Sequence, residues 1–435
     1  MTELLSYSAG KHLIKTGINV PDWSRRGADY SVNFGGTYFF SSLQDFRQQR
    51  PFSFTIQQGD PRFLFVEKVI GGFLQDEYHL RPNLLISLGL RYDWQNYFHD
   101  SNNFAPRLSL AYAPDKNQKT VIRAGAGIFY DRTGPHPMLD ILLYNGRKVR
   151  QFVLENPAFP NALSGVNLDS LPVSISRLEP NIHIPYLFHY SLGVERQLQK
   201  DTTMSVAYIG ARGIDAFRSR DINAPLPPTF TARPDPSLGV LREIEAAGRS
   251  RFEALDFSLR GNVTRYFKGM AQYRFAYRYN NTGGINYFPP NAYDLSGEWA
   301  RSNEDRRQRL DLLGTINPGK LFNLGIAFAA YSGAPYTMTT GRDDFHTGTA
   351  NARPPGVSRN SPGYADLDLR WSHDFSAHRG KTEKGPTVSL AIDAFNVLNR
   401  VNYVSFVGNL SSPFFGKAVA AEPPRRLQLS ATFKF

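Results

Sequence analysis

The sequence predicts an all-β fold, a transmembrane antiparallel β-barrel, from the period of its apolar residues, the length of its strands and the alternation of its connections. The final segment, RRLQLSATFKF, shows the period most clearly. Leu427, Leu429, Ala431, Phe433 and Phe435 are apolar, while the residues that alternate with them, such as Gln428, are polar. A period of two is typical of a strand with one apolar face and one polar face.

Strand length separates a membrane barrel from a water-soluble sheet. The segments 84–94 and 270–279 keep the same alternation over eleven and ten residues, whereas strands of globular proteins average about five or six. Eleven residues at about 3.3 Å each, tilted by about 45°, rise about 25 Å, which is the height of the apolar band of a membrane barrel. The length therefore favours strands that cross an outer membrane.

Fifteen strands are predicted by this pattern, and the stretch 148–155 is a candidate for a sixteenth. Their bounds are 10–20, 30–41, 63–79, 83–97, 104–113, 120–131, 187–198, 202–211, 252–263, 268–279, 306–316, 321–332, 364–375, 386–397 and 425–435. Short and long connections alternate between them, and only 98–103 interrupts the order. Bacterial outer-membrane barrels have short periplasmic turns and long extracellular loops. The segments predicted to be extracellular are about 42–62, 132–186, 212–251, 280–305, 333–363 and 398–424.

Composition excludes several other classes of protein. Aromatic residues make up 13% of the chain, which also holds 36 Gly and 29 Pro, as expected for many strands and turns. No apolar run reaches the roughly 18 residues of a membrane-spanning helix. Cysteine is absent, which excludes disulfides, zinc–cysteine sites and cysteine nucleophiles. The net charge is +12, but the basic residues are dispersed, so no nucleic-acid partner is predicted.

The densest charge cluster is the segment 301–311, RSNEDRRQRLD. One interpretation is a patch at the lumen or rim of the barrel that binds an anionic or zwitterionic ligand. The alternative is internal salt bridging, since the inner faces of barrels are polar, and we favour this structural role. The candidate ligand residues are Arg301, Asp305, Arg306 and Arg307.

Metal, cofactor and catalytic sites are not predicted. The nine histidines show no metal-ligand spacing such as HExxH. His136 and His183 share one predicted loop, where we expect them to be solvated. No G-x-S-x-G nucleophile motif occurs, so the protein is not expected to be an enzyme.

Several stretches resemble TonB-dependent receptors. The segment 72–93, GFLQDEYHLRPNLLISLGLRYD, is similar to a hairpin of that family, and DAFNVLN at 393–399 is similar to its penultimate strand. The terminal Phe435, with Phe433 before it, resembles the C-terminal signal read by the barrel-assembly machinery. Further stretches resemble the Oar-like, large-loop subgroup: 103–107, 125–131, 233–239, 248–252, 305–307 and 331–336.

This resemblance implies a receptor in the outer membrane of a Gram-negative bacterium. Its partners would be outer-membrane lipid, the barrel-assembly machinery, an unidentified extracellular ligand, and the TonB complex acting through a plug domain. Complete barrels of the family have about 22 strands. We recognise no plug domain in residues 1–435, so we expect a partial barrel domain, a C-terminal part of 15 or 16 strands.

Two other functions stay open at this stage. The first is a passive porin or surface adhesin without energy coupling. The second is a soluble β-rich enzyme or propeller, which is disfavoured because the sequence has no repeat of 40–50 residues.

Overall fold

A computed structural model of the chain describes residues 1–134, 136–319, 322–354, 359–379 and 383–434. The strands in chain order are β1 (Thr2–Ala9), β2 (His12–Asp29), β3 (Thr37–Phe39), β4 (Ser53–Gly59), β5 (Arg62–Arg81), β6 (Leu84–Gln95), β7 (Phe104–Tyr112), β8 (Thr120–Tyr130), β9 (Val149–Glu155), β10 (Val173–Leu178), β11 (Tyr186–Gln199), β12 (Thr202–Asp221), β13 (Leu238–Asn262), β14 (Phe267–Asn280), β15 (Ala300–Arg301), β16 (Gln308–Gly319), β17 (Phe322–Tyr331), β18 (Pro335–Tyr336), β19 (Arg359–Asn360), β20 (Tyr364–Arg379), β21 (Glu383–Phe395), β22 (Tyr403–Phe406), β23 (Ala418–Ala421) and β24 (Arg426–Lys434).

Helical structure is sparse. The α-helices are α1 (Leu43–Arg47) and α2 (His136–Leu143), and single 3-10 turns occur at Leu168–Ser170 and Ser296–Glu298. Within the described ranges, none of the helices has both the length and the hydropathy needed to cross a membrane.

Fifteen of the strands form one antiparallel sheet, which we call the main sheet, and each strand in it pairs with the next of the fifteen along the chain. The order is β1, β2, β5, β6, β7, β8, β11, β12, β13, β14, β16, β17, β20, β21 and β24. In the described part of the chain, β1 pairs with β2 alone and β24 with β21 alone. No plug domain is evident in those residues. The predicted all-β class with a large antiparallel sheet is confirmed.

The register of the last two strands separates an apolar outer face from a polar inner face. On the outer face Leu429 lies opposite Ile392, and on the inner face Gln428 lies opposite Asp393. Leu429 is 78% exposed and Leu88, on the outer face of β6, is 59% exposed. A continuous exposed apolar surface of this kind is typical of contact with lipid.

The inner face carries ion pairs between neighbouring strands. They are Lys15 Nζ–Glu77 Oε1 (2.6 Å), Arg274 Nη2–Asp256 Oδ2 (2.6 Å) and Arg370 Nη1–Asp393 Oδ1 (2.8 Å). Charged groups need water or an opposite charge, so these pairs agree with an inner surface that is shielded from lipid.

One predicted strand position is wrong, and one strand was not predicted. The segment 30–41 contains only the short strand β3, because the chain bends at Gly36, where φ is +78°, and its aromatic residues pack in a loop. The strand Thr2–Ala9 was not predicted, since the adjacent apolar residues Leu4 and Leu5 interrupt the alternation. It forms a hairpin with β2, in which Tyr7 lies opposite Ile14.

Most of the predicted loop 212–251 is strand, because it belongs to β12 and β13 and only 222–237 connects them. Beyond the apolar band one face of these strands carries charged residues, and the other face mixes polar residues with the buried Phe217 and Ile244, so the alternation that marks a membrane strand is weaker. Cross-strand ion pairs hold the extension together instead. Arg218 lies opposite Glu245 and its Nε is 2.6 Å from the carboxylate, while Arg220 Nη2 lies 2.9 Å from the same group.

Long connections alternate with short ones, as the sequence predicts. The long ones are 30–61, 131–185, 222–237, 281–307, 332–363 and 396–425, and the connection 96–103 lies at the same end of the sheet. We call these seven connections, together with the extended ends of β12 and β13, the loop layer. Its extracellular position stays a prediction.

The buried apolar clusters of the described residues lie in this loop layer or at its junction with the sheet. One contains Tyr97, Phe98, Ile184 and Ile244; a second contains Phe54, Phe152 and Leu154; a third contains Phe63, Leu139 and Leu143. The connections are therefore folded and packed, with a core of their own.

Candidate functional site

Two distant connections combine to form a small sheet within the loop layer. Strand β4 pairs with β9 over its whole length, so that Phe54 lies opposite Leu154 and Ile56 opposite Phe152. The side chain of Ala162 packs on this apolar face. We call β3, β4, β9 and β10 the cap sheet. The stretch 148–155, a candidate sixteenth strand of the barrel, is a strand of this cap sheet.

Strand β13 connects the cap sheet to the main sheet. Its residues 250–262 pair antiparallel with β14, whereas its residues 238–244 pair in parallel with β10. The exchange of partner occurs where the strand passes beyond β14. Arg177 of β10 donates from Nε to Glu243 of β13 at 2.8 Å, which ties the new pair together.

The polar face of the cap sheet lines a cavity of about 150 Å³. Gln57 lies opposite Gln151, and Gln151 lies opposite Ser174, so these side chains form one row across β4, β9 and β10. Tyr144, which follows α2, and Ser176 also line the cavity. Burial raises the pKa of the Tyr144 phenol, and hydrogen bonding by the Gln57 amide offsets only part of this rise. The hydroxyl therefore keeps its proton at neutral pH.

Arg242 of β13 also lines the cavity, and its three guanidinium nitrogens are all engaged. Nε donates to Ser219 Oγ at 2.8 Å, Nη2 donates to the Ile285 carbonyl at 2.5 Å, and Nη1 lies 2.9 Å from Asp140 Oδ2. The guanidinium also lies over the ring of Phe288, 5.7 Å from its centroid. Among the described residues that line the cavity, Arg242 is the one cationic group, and a neighbouring carboxylate neutralises it.

The charge cluster predicted from the sequence forms around the fully buried Asp305. Arg301 Nε lies 2.5 Å and Arg307 Nε 2.9 Å from Asp305 Oδ2, while Oδ1 accepts from the backbone N–H of Arg278 at 2.8 Å. Arg306 points elsewhere and lies over the ring of Tyr331, 4.1 Å from its centroid. Asp305 therefore connects β14 to the connection that precedes β16.

A second charged cluster, on the inner wall, was not predicted. Asp22 of β2 and Glu67 of β5 are both buried, and Arg26 binds both carboxylates. Arg132 from the connection 131–185 reaches Asp22 at 3.0 Å and Glu67 at 3.6 Å. No local signal marks these residues, because they come from three separate parts of the chain.

Other connections in the loop layer are joined by hydrogen bonds. Asn351 Nδ2 donates to the Phe288 carbonyl at 3.1 Å, and the Tyr293 hydroxyl donates to the Ala224 carbonyl at 2.5 Å.

Below the layer, a concavity of about 770 Å³ follows the inner wall, with Asp368 and Arg370 in its lining.

The described residues contain no group of three His, Asp or Glu side chains that could hold a metal ion. His183, one of the two loop histidines considered above, lies 4.0 Å from Asp215 Oδ2 and is largely exposed. Phe433 is 62% exposed on the outer face of β24, and Phe435 lies outside the described residues.

The chain matches the protein family described as "Outer membrane beta barrel domain" over residues 1–103 and 95–361. No curated protein sequence matches it.

Similar solved structures are outer-membrane proteins. The outer membrane transporter YddB from Escherichia coli has a TM-score of 0.61 at 13% identity, covering 99% of this chain and 53% of that one. The ferric enterobactin receptor PfeA from Pseudomonas aeruginosa, in complex with enterobactin, has a TM-score of 0.59 at 14% identity, with shares of 99% and 53%. The siderophore receptor PirA from Acinetobacter baumannii has a TM-score of 0.59 at 11% identity, with the same shares. The chain thus spans about half the length of these proteins.

Proposed function

This chain belongs to the outer-membrane β-barrel domain family and lies in the outer membrane, and from that premise we propose that it is the barrel part of a TonB-dependent receptor of the Oar-like subgroup. The receptor takes up a scarce solute, which it binds through the loop layer and the inner wall. Transport is driven through a plug domain by the TonB complex, and the protein catalyses no reaction.

The folded loop layer is the observation that carries this proposal. A passive porin keeps a water-filled path through its lumen, whereas here the connections pack into apolar clusters of their own and enclose a polar cavity. Ordering long loops costs conformational entropy. Such a cost is expected where the loops select a ligand, since binding residues lie mostly on loops held by a rigid scaffold.

The solved structures with this fold support the same class of function. They are described as an outer membrane transporter, a ferric enterobactin receptor and a siderophore receptor. The contact of Arg301, Arg306 and Arg307 with a ligand is part of the proposal, with Asp305 as the residue that positions Arg301 and Arg307. Recognition of Phe433 and Phe435 by the barrel-assembly machinery is part of it as well.

A passive porin is the second candidate, and the concavity of about 770 Å³ on the inner wall favours it. Binding to TonB separates the two functions without knowledge of the ligand. The full-length protein, solubilised from outer membranes, is passed over the immobilised periplasmic domain of TonB and over an unrelated periplasmic domain as control. A receptor is retained by TonB alone and shows no steady conductance in a planar bilayer. Steady conductance without retention would establish the porin and reject our proposal.

A further inference from the structure

The cavity under the cap sheet has the chemistry of a site for a neutral, polyhydroxylated solute, and we propose that it binds one sugar unit of about hexose size. This inference rests on the proposed function, because it names the class of solute that the loop layer selects. It is carried by the register of the cap sheet, by an unpaired buried amide oxygen and by the neutral charge of the cavity lining.

The register aligns the polar groups on one surface. Gln57, Gln151 and Ser174 are direct neighbours across three strands, and side chains opposite each other in a sheet point to the same face. Ser176, two residues beyond Ser174, points to that face as well. Each amide offers both a donor and an acceptor, and each hydroxyl can act as either. A sugar presents the same mixture of donors and acceptors around its ring.

One of these groups lacks a partner. Gln57 is only 7% exposed, and within the described residues its Oε1 atom makes no hydrogen bond. Buried polar groups in folded proteins nearly always have a partner, and leaving one unpaired costs free energy. The Gln57 amide therefore has an unused acceptor in the cavity lining, available to a hydroxyl of a bound solute.

The charges of the lining disfavour an ionic ligand. Arg242 is held by Asp140 at 2.9 Å, and its remaining nitrogens bind Ser219 and the Ile285 carbonyl. An anion would have to displace one of these contacts, and a cation would meet the guanidinium. A neutral solute binds without disturbing the pair.

The size and the remaining wall agree with a single ring. A cavity of about 150 Å³ is large enough for a molecule of about one six-membered ring. Phe288 lies in the lining, where it supplies apolar surface for the C–H groups of a sugar ring while the amides bind its hydroxyls.

Calorimetry on the purified full-length protein in detergent tests the proposal with D-glucose, D-galactose and D-xylose as probes, and with acetate and tetramethylammonium as charged controls. We expect at least one sugar to bind with a Kd in the millimolar range or below, and neither ion to bind. Water alone in the cavity, seen as no heat with any sugar, would overturn the proposal. Binding of acetate in place of sugar would overturn it as well.

Two variants then test whether the sugar whose binding heat is measured binds in this cavity. Gln57→Leu removes the unpaired acceptor and should weaken sugar binding about tenfold, as expected for the loss of one buried hydrogen bond. Gln58→Leu is the matched control, because Gln58 is the next residue of β4 and points to the opposite face, and it should bind as the parent does. Equal binding by the parent and Gln57→Leu would reject the site.

Folding of the loop layer is checked by limited trypsin digestion at the exposed residues Arg147 and Lys148, which precede β9. If Gln57→Leu is cleaved faster than the parent, Ser176→Ala takes its place with the same expected loss of affinity. The calorimetry needs neither TonB nor energy. Sugar binding without retention by TonB would leave the site standing and reject the proposed function, and the converse result would reject the site alone.

Discussion

Asn409 Nδ2 donates a hydrogen bond of 2.9 Å to the backbone carbonyl of Ser41, which lies 368 residues earlier in the chain. Ser41 belongs to the connection that follows β2, the second strand of the main sheet, and Asn409 to the connection that precedes β24, the last. The sheet therefore curves until loops from its two ends meet. The loop layer joins these ends directly.

Replacing Asn409 by Asp should open this contact selectively. The Oδ1 atom of Asn409 accepts from the backbone N–H of Ser411 at 2.9 Å. An aspartate at this position keeps that acceptor but lacks the N–H group that donates to Ser41. We expect a loss of about 0.5–1.5 kcal/mol of local stability, measured as faster hydrogen exchange in residues 38–44 and 405–412. Asn303→Asp adds the same charge at an exposed loop position and should leave both segments unchanged; equal acceleration in the two variants would contradict the prediction.

Asp305→Asn should destabilise the folded barrel strongly. The change removes the charge that Arg301 and Arg307 share at a fully buried position, and breaking a buried ion pair by removing one partner costs about 3–5 kcal/mol. The temperature at which the heat-modifiable band converts on a gel should fall clearly. Glu304→Gln is the control, since Glu304 is 72% exposed in its pair with Arg278 and exposed pairs contribute about 0–1 kcal/mol. A similar fall in both variants would argue against the structural role of Asp305.

Leu429→Arg and Gln428→Arg test the two faces of β24. They place the same side chain one residue apart, on the outer face opposite Ile392 and on the inner face opposite Asp393. An arginine facing lipid near the midplane costs about 2–4 kcal/mol, so Leu429→Arg should reduce the amount of folded protein in outer membranes. Gln428→Arg gains Asp393 as a neighbour and should assemble normally. If the two variants assemble equally well, the assignment of faces is wrong.

Acid should loosen the segment around α1. Hydrogen bonds from Ser42 (2.5 Å) and Ser41 (2.7 Å) lower the pKa of Asp45 below its ordinary value of 3.8. A lowered pKa means that the carboxylate stabilises the fold above pH 3.8, and that this stabilisation disappears as the pH falls through the lowered pKa. Protection of residues 42–48 from hydrogen exchange, corrected for the intrinsic rate, should therefore fall as the pH is lowered below 3.8.

Asp45→Asn provides the control for this titration. Its protection in the same segment should already be reduced at pH 7 and should change little on acidification. A pH dependence as steep as that of the parent would assign the effect to another group.

The period of two predicted the fold class because it records a local property, the two environments on either side of a membrane strand. Leu427, Leu429 and Phe433 show the alternation within one strand, so the strand can be predicted without knowing which distant strand pairs with it. The prediction failed where the environments differ. Beyond the lipid, Arg218 and Arg220 of β12 pair with Glu245, and the alternation of residues there no longer distinguishes strand from loop.

The candidate site could be predicted only in part. The cluster of Arg301 and Asp305 is contiguous in the sequence, so its density of charge was visible. The row of Gln57, Gln151 and Ser174 comes from three segments that meet only through the register of the cap sheet. Phe54 and Ile56 alternate with Thr55 and Gln57, which is a signal for a strand, but a single chain does not indicate which distant strand is its partner.

The partner exchange in β13 has a mechanical consequence. Strand β13 runs without interruption from Leu238, where it begins to pair with β10 of the cap sheet, to Asn262 at the far end of the main sheet. The cap sheet is therefore attached to the main sheet through a continuous strand. The cap sheet cannot rotate as a rigid unit unless β13 bends, and β12 and β14 pair with β13 on either side. We therefore expect rearrangements of the loop layer to occur in its other connections while the cap sheet stays in place.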